Sequence, residues 1–231
     1  MKVSCIILAR GGSKGIPKKN IIDFCGKPLI AWTILQALGA EEVTDVWVSS
    51  DSDEILKIAK HYGANTIIRP EKISGDTEPS ESAWLHAIDF IEQQSEYSID
   101  FVLAPQVTSP LRHAADFSDA IAQIKANGVD SLLSVAEVED FFIWKQRDGE
   151  NPQSVNYDYK DRRPRQQIEK TYIENGSFYL FKPQVLINDN NRIGGDTSLF
   201  VMDRYKMFQI DNDEDIELSA VIMKGFGLDA K

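Results

Sequence analysis

An apolar run from Val3 to Ala9 stops at a glycine-rich, basic stretch, Arg10-Gly11-Gly12-Ser13-Lys14-Gly15. Such a run, with no polar alternation, is the pattern of a strand buried on both faces, as strands of parallel sheets are. Helical and strand patterns then alternate. Pro28 opens a helix through Leu29, Ile30, Trp32, Thr33 and Ala37, with proline at a favoured first-turn position. Val43 to Ser50 reads as a strand, Asp53 to Tyr62 as an amphipathic helix stopped by Gly63, and Asn65 to Ile68 as a strand stopped by Pro70. Glu81 to Gln94 is a helix with Trp84, Leu85, Ile88 and Ile91 on one face. Phe101 to Ala104 and Ser131 to Val135 are strands flanking a helix from Ala114 to Ala126. Alternation in units of about 30 residues predicts an α/β fold, a mostly parallel, Rossmann-like sheet flanked by helices.

The rhythm breaks after Val138. Residues 140–172 are polar, with aromatics at Phe141, Phe142, Trp144, Tyr157 and Tyr159 and a basic knot at Arg162, Arg163 and Arg165. The aromatics argue for an ordered arm or hairpin inserted into the domain and packed on a partner subunit, not a floppy loop. Strands resume at Ser177 to Phe181 and Tyr205 to Ile210, and a last helix runs from about Glu214 to Lys224. The expectation is a single domain over residues 1–231, with the insertion inside it.

No apolar run reaches the roughly 18 residues of a membrane helix, and the N-terminal run reads as a buried strand, not a signal peptide. Cys5 and Cys25 cannot build a disulfide framework, which suits reduced thiols in a cytoplasmic protein. A formal net charge of -11 repels a phosphate backbone and argues against nucleic-acid binding. It also sets apart the basic cluster of Arg10, Lys14, Lys18 and Lys19.

That cluster sits in the loop Ala9-Arg10-Gly11-Gly12-Ser13-Lys14-Gly15-Ile16-Pro17-Lys18-Lys19-Asn20, directly after the first strand. In an open α/β sheet ligands bind beyond the carboxyl ends of strands. Glycines let backbone N–H groups approach phosphate oxygens, arginine grips phosphate bidentately, and lysine adds a mobile charge. The loop is neither a Walker A sequence nor a GxGxxG fingerprint. A solvated surface turn is the alternative. The preceding strand, the four basic residues and the acidic background favour phosphate binding.

Near the other end, Phe208-Gln209-Ile210-Asp211-Asn212-Asp213 follows the last alternating strand. In an extended segment Asp211 and Asp213 would project to the same side, a hard-oxygen pair suited to Mg²⁺ with substrate phosphates. Such a site serves nucleotidyl transfer. Glu214, Asp215 and Glu217 read as acidic residues complementing a helix N-terminus. The pair does not match an EF-hand loop. His61, His86 and His113 lie on or at the start of helices without zinc-ligand spacing, and no GxSxG elbow is present. Ser49, Ser50 and Ser52 end a strand and cap a helix, and Trp32, Trp47 and Trp84 read as core aromatics.

Five segments in order resemble the CMP-sialic acid synthetases, the acylneuraminate cytidylyltransferases. They are the glycine-rich loop, Arg69-Pro70 with Asp76-Thr77 and Ser80, and Gln106-Val107-Thr108-Ser109-Pro110-Leu111-Arg112. Arg163-Pro164-Arg165-Gln166-Gln167 with Asn175-Gly176-Ser177-Phe178-Tyr179, and Ile210-Asp211-Asn212-Asp213, complete the set. The resemblance spans nearly the whole chain. It implies a nucleotidyltransferase in which the anomeric hydroxyl of a nine-carbon sugar acid attacks the α-phosphorus of CTP and pyrophosphate leaves. Arg10, Ser13, Lys14 and Lys19, with the Gly11-Gly12 backbone, would hold the triphosphate, and Asn20, Arg69 and Ser80 the base and ribose. Gln106 and Arg165, with Thr108, Ser109, Gln166 and Asn175 from the same segments, would bind the sugar acid. Asp211 and Asp213 would hold Mg²⁺, for which Mn²⁺ is a substitute. Arg10, Lys14, Lys19 and Asp211 are the candidate catalytic residues. The resemblance also implies a homodimer in which the segment 140–172 helps complete the partner's site.

The sequence departs from that pattern where Val107 replaces a proline and where Ile173-Glu174 stands in place of the Arg-Pro of some bacterial members. The second change removes one partner for a sugar carboxylate and leaves the acceptor open. The related Kdo cytidylyltransferases resemble the first loop less and lack the T-S-P-L-R segment. Transfer to a Kdo-type or other acceptor, and an inactive nucleotide-binding module, are the competing expectations.

Overall fold

The structure is a computed structural model that describes residues 1–13, 15–75, 77–138, 141–161, 167 and 169–229. In chain order its elements begin with β1 (Val3–Leu8), β2 (Asp23–Phe24), β3 (Lys27–Pro28), α1 (Leu29–Leu38), β4 (Asp45–Ser50), α2 (Asp53–His61) and β5 (Asn65–Ile68). They continue with α3 (Ser80–Gln94), β6 (Phe101–Pro105), α4 (Ala114–Asn127), β7 (Ser131–Val138), β8 (Trp144–Lys145) and β9 (Gln153–Ser154). The last are β10 (Thr171–Phe181), α5 (Pro183–Asp189), β11 (Thr197–Met202) and α6 (Asp213–Gly225).

A 7-stranded sheet has the order β11-β7-β10-β6-β1-β4-β5. β1 lies parallel to β4 and β6, β4 to β5, and β11 to β7; β10 alone runs antiparallel to its neighbours. The mostly parallel, helix-flanked sheet predicted from the alternation is the fold observed. Side chains of β1 divide between two cores. Cys5 and Ile7 pack with Leu29, Ile34, Phe117 and Ile121 on one face, and Ile6 packs with Trp84, Ile88 and Ile91 on the other. Both faces of the strand are therefore removed from water, which is why it carries no polar alternation. The chain leaves β1 toward β4 and β5, then returns to β6 on the opposite side. β1 thus borders a topological switch point, where sheets of this kind open a crevice at the strands' carboxyl ends.

The C-terminal third differs from its prediction. Tyr205–Ile210 is not a strand: Arg204–Met207 is a short 3-10 helix, and the edge strand is β11. The cause is Lys206, buried with its ammonium on Asp116 at 2.8 Å and Asp203 at 3.1 Å, which ties the segment to α4 rather than to a strand. The strand expected from Ser177 begins at Thr171, with a break in register between Glu174 and Tyr179. Within the inserted segment, β8 and β9 form a two-stranded ribbon, while Thr171 and Tyr172 already belong to the main sheet.

Candidate active site

The glycine-rich loop is folded by its own side chains. The Gly11 amide donates to Asp51 Oδ1 at 2.7 Å, fastening the loop to the end of β4. Asn20 Nδ2 donates to the Arg10 carbonyl at 2.9 Å and draws the loop's far end back to its start. Lys18 takes a left-handed conformation (φ 54°), and a 3-10 turn at Lys19–Ile21 follows. The Arg10 guanidinium reaches the Gly75 carbonyl at 3.4 Å, across the mouth of the crevice.

The two ends of the chain meet here. Lys19 Nζ donates to the Ile210 carbonyl at 3.1 Å and to Asp211 Oδ1 at 2.8 Å. A side chain at Gly15 would put Cβ 2.8 Å from the Asp211 carbonyl oxygen, so only glycine permits this approach. Several bonds deliver the acidic segment. The Ile210 amide donates to the Thr108 carbonyl at 2.8 Å, and Gln209 Nε2 donates to the Asn175 carbonyl at 2.9 Å. Gly176 has φ +62°, and a Cβ there would lie 2.5 Å from Gln209 Nε2. Asn175-Gly176 therefore shapes the seat of the acidic segment.

Asp211 and Asp213 do not share one side of an extended strand. Asn212 caps α6, its side chain accepting from the Asp215 amide at 3.0 Å. Asp215 Oδ2 accepts in return from the amides of Asp211 at 2.9 Å and Asn212 at 3.0 Å. This capping box turns the chain between the two aspartates, and Asp213 becomes the first residue of the helix. Both carboxylates remain exposed.

Beside this junction lies a cavity of about 500 Å³, within the range of small-molecule sites. Arg10, Ser13, Lys19, Asn20, Arg69 and Ser80 are among its lining residues. Arg69 is buried and anchored to β4, with Nε on Ser49 Oγ at 3.2 Å and Nη2 on the Ser49 carbonyl at 2.5 Å. Burial pushes its pKa down, while the Asp51 charge pulls it up. Ser80 opens α3, whose N-terminus therefore faces the cavity. A second cavity, of about 240 Å³, shares Leu8, Asn20 and Ser80 with the first. Its other walls include Trp84, Gln106, Thr108 and Arg192.

The structure thus gathers Arg10, Ser13, Lys19, Asn20, Arg69 and Ser80 around one space and places Gln106 and Thr108 around the adjoining one. Gly11 and Gly12 line neither cavity; the Gly11 amide is bonded to Asp51. Two predicted substrate contacts belong instead to the interior. Ser109 is 1% exposed and donates to the Gly176 carbonyl; Asn175 is 2% exposed and accepts from Ser134 Oγ and the Ser177 amide. Their polar atoms are spent on the turn that seats the acidic segment. Lys14, Arg165, Gln166, Arg162, Arg163 and Asp76 lie outside the described residues.

Three residues were not singled out from the sequence. Asp51 had no signal beyond its place after a strand. Arg192 stands in a loop with no motif. Arg112 was quoted only within its motif and is fully buried: it donates to Gln36 Oε1 (2.8 Å), Thr33 Oγ1 (2.7 Å) and the carbonyls of Ser177 (2.7 Å) and Gln106 (3.1 Å). It braces the segment that lines the second cavity.

Among the described residues no group of three or more His, Cys, Asp or Glu side chains forms a metal cage. Carboxylates are the hard-oxygen donors that Mg²⁺ takes when water and substrate phosphate fill its other positions, and Asp211 touches the cavity-lining Lys19. Asp211 and Asp213 are oxygen donors of the chemical type that magnesium takes, on either side of the capping turn.

A sheet whose switch-point crevice joins a basic glycine loop to exposed carboxylates defines a nucleotidyltransferase. Residues 4–205 match the cytidylyltransferase family. The chain is 33% identical to the pseudaminic acid cytidylyltransferase of Campylobacter jejuni subsp. jejuni serotype O:23/36 (strain 81-176), over 97% of each chain. It is 36% identical to N-acylneuraminate cytidylyltransferase A of Danio rerio, over 93% of this chain and 49% of that protein. Its fold matches CMP:2-keto-3-deoxy-manno-octonic acid synthetase complexed with CTP, with a TM-score of 0.74 at 16% identity, over 98% of this chain and 100% of that one. The chain belongs to the cytidylyltransferase family, in the branch of the CMP-sialic acid synthetases, as its motifs foretold.

Proposed function

We propose that this chain transfers CMP from CTP to the anomeric hydroxyl of a nine-carbon, sialic-acid-type sugar acid and releases pyrophosphate. The observation that carries the reading is the contact of Lys19 with Asp211 beside two adjoining cavities. The larger cavity, with Arg10, Lys19 and Arg69, suits a nucleotide triphosphate; the smaller, beyond Asn20 and Ser80, suits the acceptor. A sugar hydroxyl entering from the smaller side would meet an α-phosphorus held in the larger one, an arrangement that favours in-line attack. Arg10, Lys14 and Lys19 would stabilise the negative charge that builds on the departing pyrophosphate. Magnesium, held by Asp211 and Asp213, would supply charge neutralisation at the phosphates.

Among such acceptors a pseudaminic-type acid is favoured by the full-length match to the Campylobacter enzyme, because both proteins are spanned almost end to end. We also propose a homodimer. The ribbon of β8 and β9 leaves Ile143, Trp144, Val155 and Tyr159 exposed, an apolar surface suited to a second copy.

Pyrophosphate release from CTP, ATP, GTP and UTP, measured with pseudaminate, legionaminate, N-acetylneuraminate, Kdo and sugar phosphates, tests the reading. Turnover of CTP with a nine-carbon acid is expected. Pyrophosphate appearing only with a sugar phosphate would overturn it. Sedimentation velocity tests the dimer, and a monomer at micromolar concentration would reject it.

A further inference from the structure

Among the described residues, the cavity assigned to the acceptor has one charged side chain in its wall. Leu8, Trp84, Pro105 and Val107 give it an apolar body, Asn20, Ser80, Gln106 and Thr108 are neutral polar groups, and Arg192 is the remaining lining residue. The arginine is fixed from several sides. Nη1 is bonded to Glu81 Oε1 at 2.7 Å, on the first turn of α3. The guanidinium carbon lies 4.3 Å from the Tyr179 ring centroid and 5.5 Å from that of Trp84. Tyr179 is itself held by a hydrogen bond from its hydroxyl to Glu174. Nε is buried and has no hydrogen-bond partner among the described residues. An unpaired Nε leaves the guanidinium short of its full set of partners, in a residue that lines a cavity.

We infer that Arg192 is the acceptor-recognition residue of this enzyme, binding the carboxylate of the sugar acid. This rests on the cytidylyl-transfer reading above and deepens it. An arginine fork matches a carboxylate better than any other side chain, and its five N–H donors exceed what Glu81 on Nη1 and the Tyr179 side chain engage. The assignment also accounts for the Ile173-Glu174 departure. Where some bacterial members of the resembling family carry Arg-Pro, this chain carries Ile173-Glu174, and the Glu174 carboxylate holds Tyr179 as a platform under Arg192. In this chain the cation facing the acceptor space stands on the loop between α5 and β11.

The test compares each accepted acid with its methyl ester, which keeps the sugar and removes the charge. The parent enzyme should prefer the acid, and Arg192→Gln should lose roughly 10- to 100-fold in kcat/KM for the acid, the usual effect of removing a charge-assisted bond. The acid-to-ester ratio should collapse toward one, with KM for CTP unchanged within about twofold. A purely structural arginine would lower both substrates alike. Arg192→Lys, which keeps the charge but not the fork, should fold and raise KM for the acid alone, so the inference stays testable if the glutamine variant does not fold. An unchanged ratio in either variant, or a parent indifferent to esterification, overturns the Arg192 assignment and leaves cytidylyl transfer standing. A parent that releases no pyrophosphate with any acid overturns the activity and the assignment together.

Discussion

Lys19 Nζ lies 2.8 Å from Asp211 Oδ1, a contact between residues 192 positions apart in sequence. Lys19 is mostly enclosed while the aspartate side chain is 69% exposed. The geometry is that of a cavity-lining lysine held on an exposed carboxylate beside the cavity. Its energetic contribution to folding is small, because an exposed partner is solvent-screened. Under the proposed function the pair is the place where an anion and a dication would meet.

Removing the carboxylate should therefore affect chemistry and leave stability nearly intact. Asp211→Ala should lower kcat with Mg²⁺ by about 100-fold or more, the loss of several kcal/mol of charge stabilisation. Its unfolding free energy should move by no more than about 1 kcal/mol. Pyrophosphate release and thermal melts measure the two. Turnover at the parent rate would show that Asp211 holds no metal.

Gly15→Ala probes the same junction through the backbone. Its Cβ would fall 2.8 Å from the Asp211 carbonyl oxygen, and neither backbone has a flexible end to swing away. The loop must shift by a fraction of an ångström. A misplacement of that order should raise KM for CTP by about 10-fold, since errors near 1 Å cost up to 10². The melting temperature should barely change. A CTP affinity equal to the parent's would mean that the loop does not close on the acidic segment during binding.

The parts of this architecture legible in the sequence are those with a repeating physical signal. Val3–Leu8 is buried on both faces and reads so; α2 and α3 carry stripes of apolar residues at helical spacing. The glycine loop stood out because its cations interrupt an acidic chain. What escaped depended on partners distant in sequence. Tyr205-Lys206-Met207-Phe208 alternates like a strand, but Asp116, 90 residues earlier, captures Lys206 and bends the segment into a 3-10 turn. α5 spans only 7 residues, too few to show a period. Ser109 and Asn175 lie in segments with a functional resemblance, yet the left-handed turn at Gly176 directs their polar atoms inward. Arg192 gains its meaning only from Tyr179, Trp84 and Glu81, none of them near it in sequence.

Arg112 should prove a keystone of stability. Burial pushes its pKa down to about 9, with the fields of Cys5 and Asp116 acting upward, so it stays charged at neutral pH. Arg112→Met would strand Gln36, Thr33 and two carbonyls without their donor. Losses from breaking buried charged networks run to about 3–5 kcal/mol. At about 2–4 °C per kcal/mol for a domain of this size, calorimetry should record a fall of roughly 6–20 °C. A fall under about 2 °C would show that the network is replaceable.

His86 should give the fold a specific acid sensitivity. It lies on α3, with Nδ1 buried and lacking a hydrogen-bond partner among the described residues. Burial first, and the nearby Arg69 charge second, hold its pKa below the ordinary 6.5, against an opposing pull from Asp89. Below pH 6.5 the unfolded chain therefore takes up a proton that the folded molecule still refuses. Acid favours unfolding over that window: the contribution of His86 is complete above pH 6.5 and is lost as pH falls toward its folded-state pKa. Urea midpoints measured from pH 7.5 to 5.5 should decline in the parent and decline less steeply in His86→Gln, whose side chain does not titrate. The interval stops short of the ordinary carboxylate range, which limits what Asp and Glu can add to the slope. Parallel curves for the two proteins would exclude His86 as the source.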